Sequence, residues 1–118
     1  MKFIVYEYPK CTTCQRALAF LDKEGISYDK IPIREKPPTK NELMRMLKFA
    51  GGNVKKLFNT SGMVYRAMKL QEKLKTMSLE ESIELLSRHG MLVKRPFLLS
   101  ENVGLLGFKE KEWEQLLE

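Results

Sequence analysis

A chain of 118 residues, 43% hydrophobic and 31% charged, is long enough for one domain with a packed core. No apolar run approaches the ~18–20 residues of a membrane span and the N-terminus carries no signal-peptide stretch, so a cytoplasmic protein is expected. The net charge of +6 is uneven: residues 36–88 carry eleven basic and five acidic groups, against six and five in residues 1–35 and four and five in residues 89–118. A basic middle steers anionic partners, or is a solvated lysine-rich surface.

Residues 2–8 are β-branched and aromatic and read as a strand, which Pro9 stops. From Thr12 the period changes: Cys14, Ala17, Leu18 and Leu21 form one stripe of an amphipathic helix that Gly25 closes. Residues 27–33 read as a second short strand, with Pro32 near its edge. Pro37-Pro38 is a hard boundary. Thr39 with Glu42 spells a capping box for a helix turning Leu43, Met44, Leu47 and Ala50 inward, broken at Gly51-Gly52. Short helical pieces are expected over 53–58 and 62–74. Ser78 with Glu81 is a second capping box, opening a helix that buries Leu79, Ile83 and Leu86 and ends at Gly90. Pro96 introduces Phe97-Leu98-Leu99, a polar turn spans 100–102, and Val103 to Leu106 returns as the second arm of a hairpin. A last helix places Trp113, Leu116 and Leu117 on one face.

The order β-α-β, helical block, β-β-α predicts one α/β sandwich. Residues 1–36 and 90–118 supply its sheet core, and residues 37–89 form an inserted helical lobe.

Cys11-Thr12-Thr13-Cys14 sits where a strand hands over to a helix. A helix N-terminus presents unpaired N–H groups and partial positive charge, which favour a thiolate over a thiol. Positions i and i+3 share a helix face, so Cys14 can attack a mixed disulfide formed at Cys11. Cys11 is then the nucleophile and Cys14 the resolving thiol. Lys10 is placed to add positive charge, and Thr12 and Thr13 offer hydroxyls and amides to an anion. Two cysteines could instead merely pack, since Cys14 lies on the apolar stripe. Structural zinc is disfavoured, because it takes four ligands and the chain has one Cys-x-x-Cys and the single histidine His89. No metal or organic cofactor is therefore expected. His89 suits a helix end, Trp113 the core, and the methionines gap-filling in the lobe. Tyr65 and Arg66 could shape a cleft between lobe and sheet. Arg95 before Pro96 is the second constellation: the arginine can hold an oxyanion or thiolate, and the proline enters the late hairpin beside the cysteines.

Three segments in this order, Tyr8-Pro-Lys-Cys-Thr-Thr-Cys-Gln-Arg-Ala-Leu, Asn59-Thr-Ser-Gly with Tyr65-Arg66, and Gly90-Met-Leu-Val-Lys-Arg-Pro-Phe, resemble the arsenate reductase (ArsC) family, in particular its Spx/MgsR-type branch. The resemblance covers essentially the whole chain. It implies a thioredoxin-like mixed sheet with an inserted helical lobe, and a redox-active pair at Cys11 and Cys14 able to close a disulfide. It also implies electrons drawn from thioredoxin or glutaredoxin. Glutaredoxin-linked members hold arsenate with one cysteine, matching Cys11, and three arginines. Of these only Arg95 is present; the others fall at Asn59 and near Phe108. Each lost arginine removes charge-assisted bonds worth about 1.5–3 kcal/mol, so another oxyanion or a disulfide is the expected substrate, with Asn59 and Pro96 helping to bind it. Spx-type regulators carry the same switch and bind the C-terminal domain of the RNA polymerase α subunit, a contact to which Gly51 or Gly52 would correspond. The ending at Glu118 and the Asn59-Thr-Ser-Gly segment look more like the short reductase-like members. Direct nucleic-acid binding is not expected, since the lysines are not interleaved with aromatics, and a monomer is.

Overall fold

Alternation along the short strands sets the architecture. The computed structural model describes residues 2–117; Met1 and Glu118, the residue at which the reductase-like ending falls, lie outside them. β1 (Phe3–Glu7) runs into α1 (Thr12–Lys23) and β2 (Tyr28–Pro32). Then come α2 (Lys40–Phe49), a 3-10 turn at Val54–Leu57, α3 (Met63–Ala67), α4 (Leu70–Lys73) and α5 (Leu79–Arg88). A second 3-10 turn at Gly90–Leu92 leads to β3 (Phe97–Leu99), β4 (Gly104–Leu106) and α6 (Glu110–Leu117). The sheet order is β2-β1-β3-β4, with β1 parallel to β2, and the β1–β3 and β3–β4 pairs antiparallel.

Successive strand residues point to opposite faces, and the core divides accordingly. Val5, Leu98 and Leu105 pack with Ala17, Phe20 and Leu21 of α1 and Trp113 of α6. Tyr6, Phe97 and Leu99 face the other way, onto Leu43, Met46 and Leu47 of α2 and Ile83 and Leu86 of α5. The result is a three-layer α/β sandwich. Its lobe joint is polar as well as apolar. The Tyr6 hydroxyl donates to Glu42 at 2.6 Å, and Glu42 also accepts from the Thr39 amide in an intact capping box. Ser78 and Glu81 form a second box, which holds the Glu81 carboxyl below its ordinary range through the Ser78 amide. Lys40 of α2 pairs with Glu84 of α5, which also takes Arg88.

Two glycines are required by geometry. Gly107 turns the chain from β4 toward α6 at φ +70°. At Gly90 a Cβ would stand 1.8 Å from the Ile33 carbonyl oxygen, so two backbones meet there with no room for a side chain.

Three expected core positions face solvent. Met44 is 41% exposed, because the inward stripe of α2 is Leu43, Met46 and Leu47, and Met44 stands about a quarter-turn away. Leu79, 43% exposed, begins α5 and leans off its N-terminal end, while Ser82 takes the buried place. Leu116 is 52% exposed; Leu117, nearer Trp113 in helical angle, packs on the core instead. The piece expected over 62–74 is two helices, split by Lys69 in the left-handed region at φ 54°.

Candidate functional site

β1 and β3 are antiparallel, so the end of β1 and the beginning of β3 lie at one end of the sheet, where Tyr6 faces Phe97. β4 runs back against β3 and finishes at the same end, with Leu106 opposite Phe97. The segments just outside the strands therefore converge: residues 8–14 after β1, Lys94 and Arg95 before β3, and Gly107 to Lys109 after β4. The lobe joins them through a bridge between Phe58 and Val93, in which Asn59 N–H donates to Leu92 O at 2.7 Å and Lys94 N–H to Leu57 O at 2.8 Å.

Cys11 caps α1. Its amide donates to Tyr8 O at 3.0 Å, and its sulfur accepts from the Cys14 amide at 3.4 Å. That bond strengthens as the sulfur gains negative charge. Cys11 is half-buried, whereas Cys14 is 0% exposed; both are free thiols. Burial pushes the Cys14 thiol up to about 12; the Tyr8 amide opposes this, the hydrogen bond and charge of the Cys11 sulfur add to the rise, and the Arg95 charge lowers it slightly. Arg95 follows the 3-10 turn at Gly90–Leu92. One terminal nitrogen donates to Met91 O at 3.3 Å, the guanidinium lies 5.4 Å from the Tyr8 ring centre, and the buried Nε has no hydrogen-bond acceptor among the described residues. The Arg95–Pro96 peptide is cis, and Pro96 O accepts from Gly107 N–H at 2.9 Å.

A cleft of about 320 Å³ opens over these groups. Of the residues singled out from the sequence, Cys11, Thr13, Asn59 and Arg95 line it together. Lys10 and Thr12 are exposed and outside that lining; Pro96 is buried behind it. Sequence reasoning missed Lys94, Leu106, Gly107 and Lys109 as lining residues. Their signal was the hairpin itself, since its outer ends must finish beside the strand that leads to Cys11. Phe108 occupies the place noted for a lost arginine. Its ring packs on Trp113 at 5.0 Å and Phe20 at 5.7 Å, and Arg16 covers it at 5.4 Å. Arg95 is thus the guanidinium in a lining otherwise cationic through Lys94 and Lys109. Among the described residues no cluster of three or more His, Cys, Asp and Glu could hold a metal, and no helix is long and apolar enough to cross a membrane.

Comparison with known proteins agrees with this geometry. The chain is 44% identical over 115 residues to the uncharacterised protein YusI of Bacillus subtilis, covering 98% of each. It is 30% identical to the global transcriptional regulator Spx of Streptococcus agalactiae, over 88% of this chain and 74% of that protein. The crystal structure of a possible arsenate reductase from Streptococcus mutans superposes with a TM-score of 0.86 at 42% identity, covering 95% of this chain and 97% of the other. The ArsC family model matches residues 6–116, and with the thioredoxin-like sandwich and its cysteine-bearing helix end, this chain belongs to the ArsC family.

Proposed function

We propose that the protein is a thiol–disulfide oxidoreductase working through Cys11 and Cys14. The observation that carries this is the contrast between the two sulfurs: Cys11 is open to a cleft at a helix N-terminus, and Cys14 is sealed beneath it on the same helix face. The Cys11 thiolate attacks a disulfide, forming a mixed disulfide and expelling one substrate thiolate, which takes a proton from water. Cys14 gives up its proton and attacks the Cys11 sulfur. The Cys11–Cys14 disulfide forms and the second substrate thiol leaves, so two electrons pass from the dithiol to the substrate. Arg95, which lines the cleft with Cys11 and acts electrostatically on Cys14, supports negative charge as it moves between the two sulfurs. Thioredoxin or glutaredoxin restores the dithiol in a reducing cytoplasm, and no metal or organic cofactor takes part. Asn59 and Phe108, in place of cationic groups, argue against arsenate.

The test uses a neutral probe, bis(2-hydroxyethyl) disulfide, with mass spectrometry. The wild-type chain converts it to two thiols and becomes the internal disulfide. Cys14→Ser stops at one hydroxyethylthio adduct on Cys11, and Cys11→Ser forms no adduct in the cleft. An adduct on Cys14 in place of Cys11 would refute the assignment. The Spx relative supports a second reading, in which the same disulfide switches a regulator that contacts RNA polymerase. It requires binding of the polymerase α C-terminal domain that changes with oxidation, and no multiple turnover with a thiol reductant.

A further inference from the structure

Beside the Cys11 cleft lies a larger hollow of about 370 Å³. The two share Lys94, Leu106 and Lys109, and so form one groove from Cys11 along β4, an edge strand of the sheet, to Phe49 on α2. Its chemistry is two-sided. Met46, Phe49, Phe58 and Leu106 give it an apolar lining, and Lys55, Lys56, Lys94 and Lys109 stand around them with Glu112 as the one carboxylate of the lining. Among the described residues none of these four lysines makes an ion pair. Phe49 is 43% exposed although it lies against Gly104, where a Cβ would be 2.4 Å from its ring.

We propose that this groove seats an acidic polypeptide segment, and that the disulfide attacked by Cys11 belongs to that segment. The proposal rests on the exchange reading and names its substrate class. An inorganic oxyanion would satisfy the lysines and leave the apolar lining unused. A small neutral disulfide would use neither. A peptide carrying carboxylates and aliphatic side chains uses both, and a hollow larger than the Cys11 cleft and continuous with it gives the chain on one side of the reacting sulfur a place to lie. The positive charge of these four ammonium groups raises the encounter rate of such a segment before any contact forms.

The experiment compares two synthetic peptides of equal length. Each carries one cysteine as a mixed disulfide with 5-thio-2-nitrobenzoate, flanked by Glu and Leu in one and by Lys and Leu in the other. Stopped-flow absorbance gives the rate at which Cys11 of the reduced wild-type protein releases the chromophore. The acidic peptide is expected to react about tenfold or more faster at low salt, with the advantage shrinking as ionic strength approaches about 0.5 M. In Lys55→Glu/Lys56→Glu the ratio of the two rates is expected to fall toward one. Equal wild-type rates, or a ratio untouched by both salt and charge reversal, overturn the proposal while exchange at Cys11 stands, because both peptides still react. The salt dependence is read on wild type, so it decides even if the double variant folds poorly. A Cys11 inert to both peptides refutes the exchange reading and this one with it. A single-stranded oligonucleotide that blocks the acidic peptide more strongly than polyglutamate of equal charge assigns the groove to nucleic acid and also overturns it.

Discussion

The resolving step should be governed by proton loss from Cys14. Burial and the Cys11 sulfur push that thiol from 9.0 up to about 12. At pH 7 a thiol of that kind is thiolate about once in 10⁵ molecules, against about once in 100 at 9.0. Formation of the mixed disulfide removes the Cys11 charge and its hydrogen bond, while the burial that contributes most to the shift persists, opposed by the Tyr8 amide and the Arg95 charge. The thiol therefore stays well above neutral pH through the intermediate. The mixed disulfide should accumulate when the reduced protein meets a small disulfide, and its decay to Cys11–Cys14 should accelerate about tenfold per pH unit between pH 6.5 and 8.5.

Acid quench at timed intervals followed by mass spectrometry separates the dithiol, adduct and internal disulfide. Replacing Arg95 with Gln removes a charge that lowers the Cys14 thiol, so decay at fixed pH should slow about threefold to tenfold with the slope retained. A plateau below pH 8, or decay independent of pH, would refute the reasoning. It would mean that Cys14 is held as a thiolate by something other than its surroundings in the reduced state.

The same shift has a consequence for folding. The unfolded chain releases the Cys14 proton near 9.0 and the folded chain retains it toward about 12, so the native state binds more protons across that window and loses stability as pH rises. Urea titrations should show wild type losing about 1.4 kcal/mol more than Cys14→Ala between pH 8 and pH 10; equal losses would contradict it. Gly90→Ala should cost about 2–4 kcal/mol, because the Ile33 carbonyl standing 1.8 Å from the new carbon is backbone and must move. A loss under about 0.5 kcal/mol would show that the two backbones can part freely. Glu42→Ala should cost about 2 kcal/mol, since the Tyr6 hydroxyl, on a residue 2% exposed, and the Thr39 amide lose their acceptor together. Glu42→Gln should recover at least half of that, as both bonds can re-form to the amide oxygen, and thermal denaturation would rank the three chains.

Local chemistry explains which features could be read ahead of the fold. Thr39 with Glu42 and Ser78 with Glu81 specify their boxes within four residues, and both form as spelled. The strand-to-helix switch at Cys11 is equally local: Pro9 ends the ladder and the apolar period changes at once. Met44, Leu79 and Leu116 misled because hydrophobicity says that a side chain prefers burial, while the helix axis decides which neighbours are available. Lys69 gave no sign of a left-handed break, since lysine does not favour that region. The cleft was half legible. Cys11, Thr13, Asn59 and Arg95 were each visible as chemistry, but Lys94 and Lys109 were not, because their place depends on the pairing of β4 with β3. The second hollow needed still more, since α2 must pack beside β4 before Phe49 and the lysines at 55 and 56 can share a wall.

The lobe is more than a cover for one face of the sheet. Residues 57–59 and 92–94 hydrogen-bond to each other in both directions, and the Met91 carbonyl holds the Arg95 guanidinium. Arg95 is therefore tied to the 3-10 turn at Gly90–Leu92 as well as to the strand it introduces. Asn59, on the facing segment, is held by the same bridge. A segment binding along Lys55 and Lys56 would lie next to this bridge, whose residues Leu57, Phe58, Leu92 and Val93 are themselves part of the core. The groove's Lys55 and Lys56 and the cleft's Asn59 and Arg95 thus flank one bridge, so the proposed acidic segment and its reacting disulfide would meet the protein on either side of it.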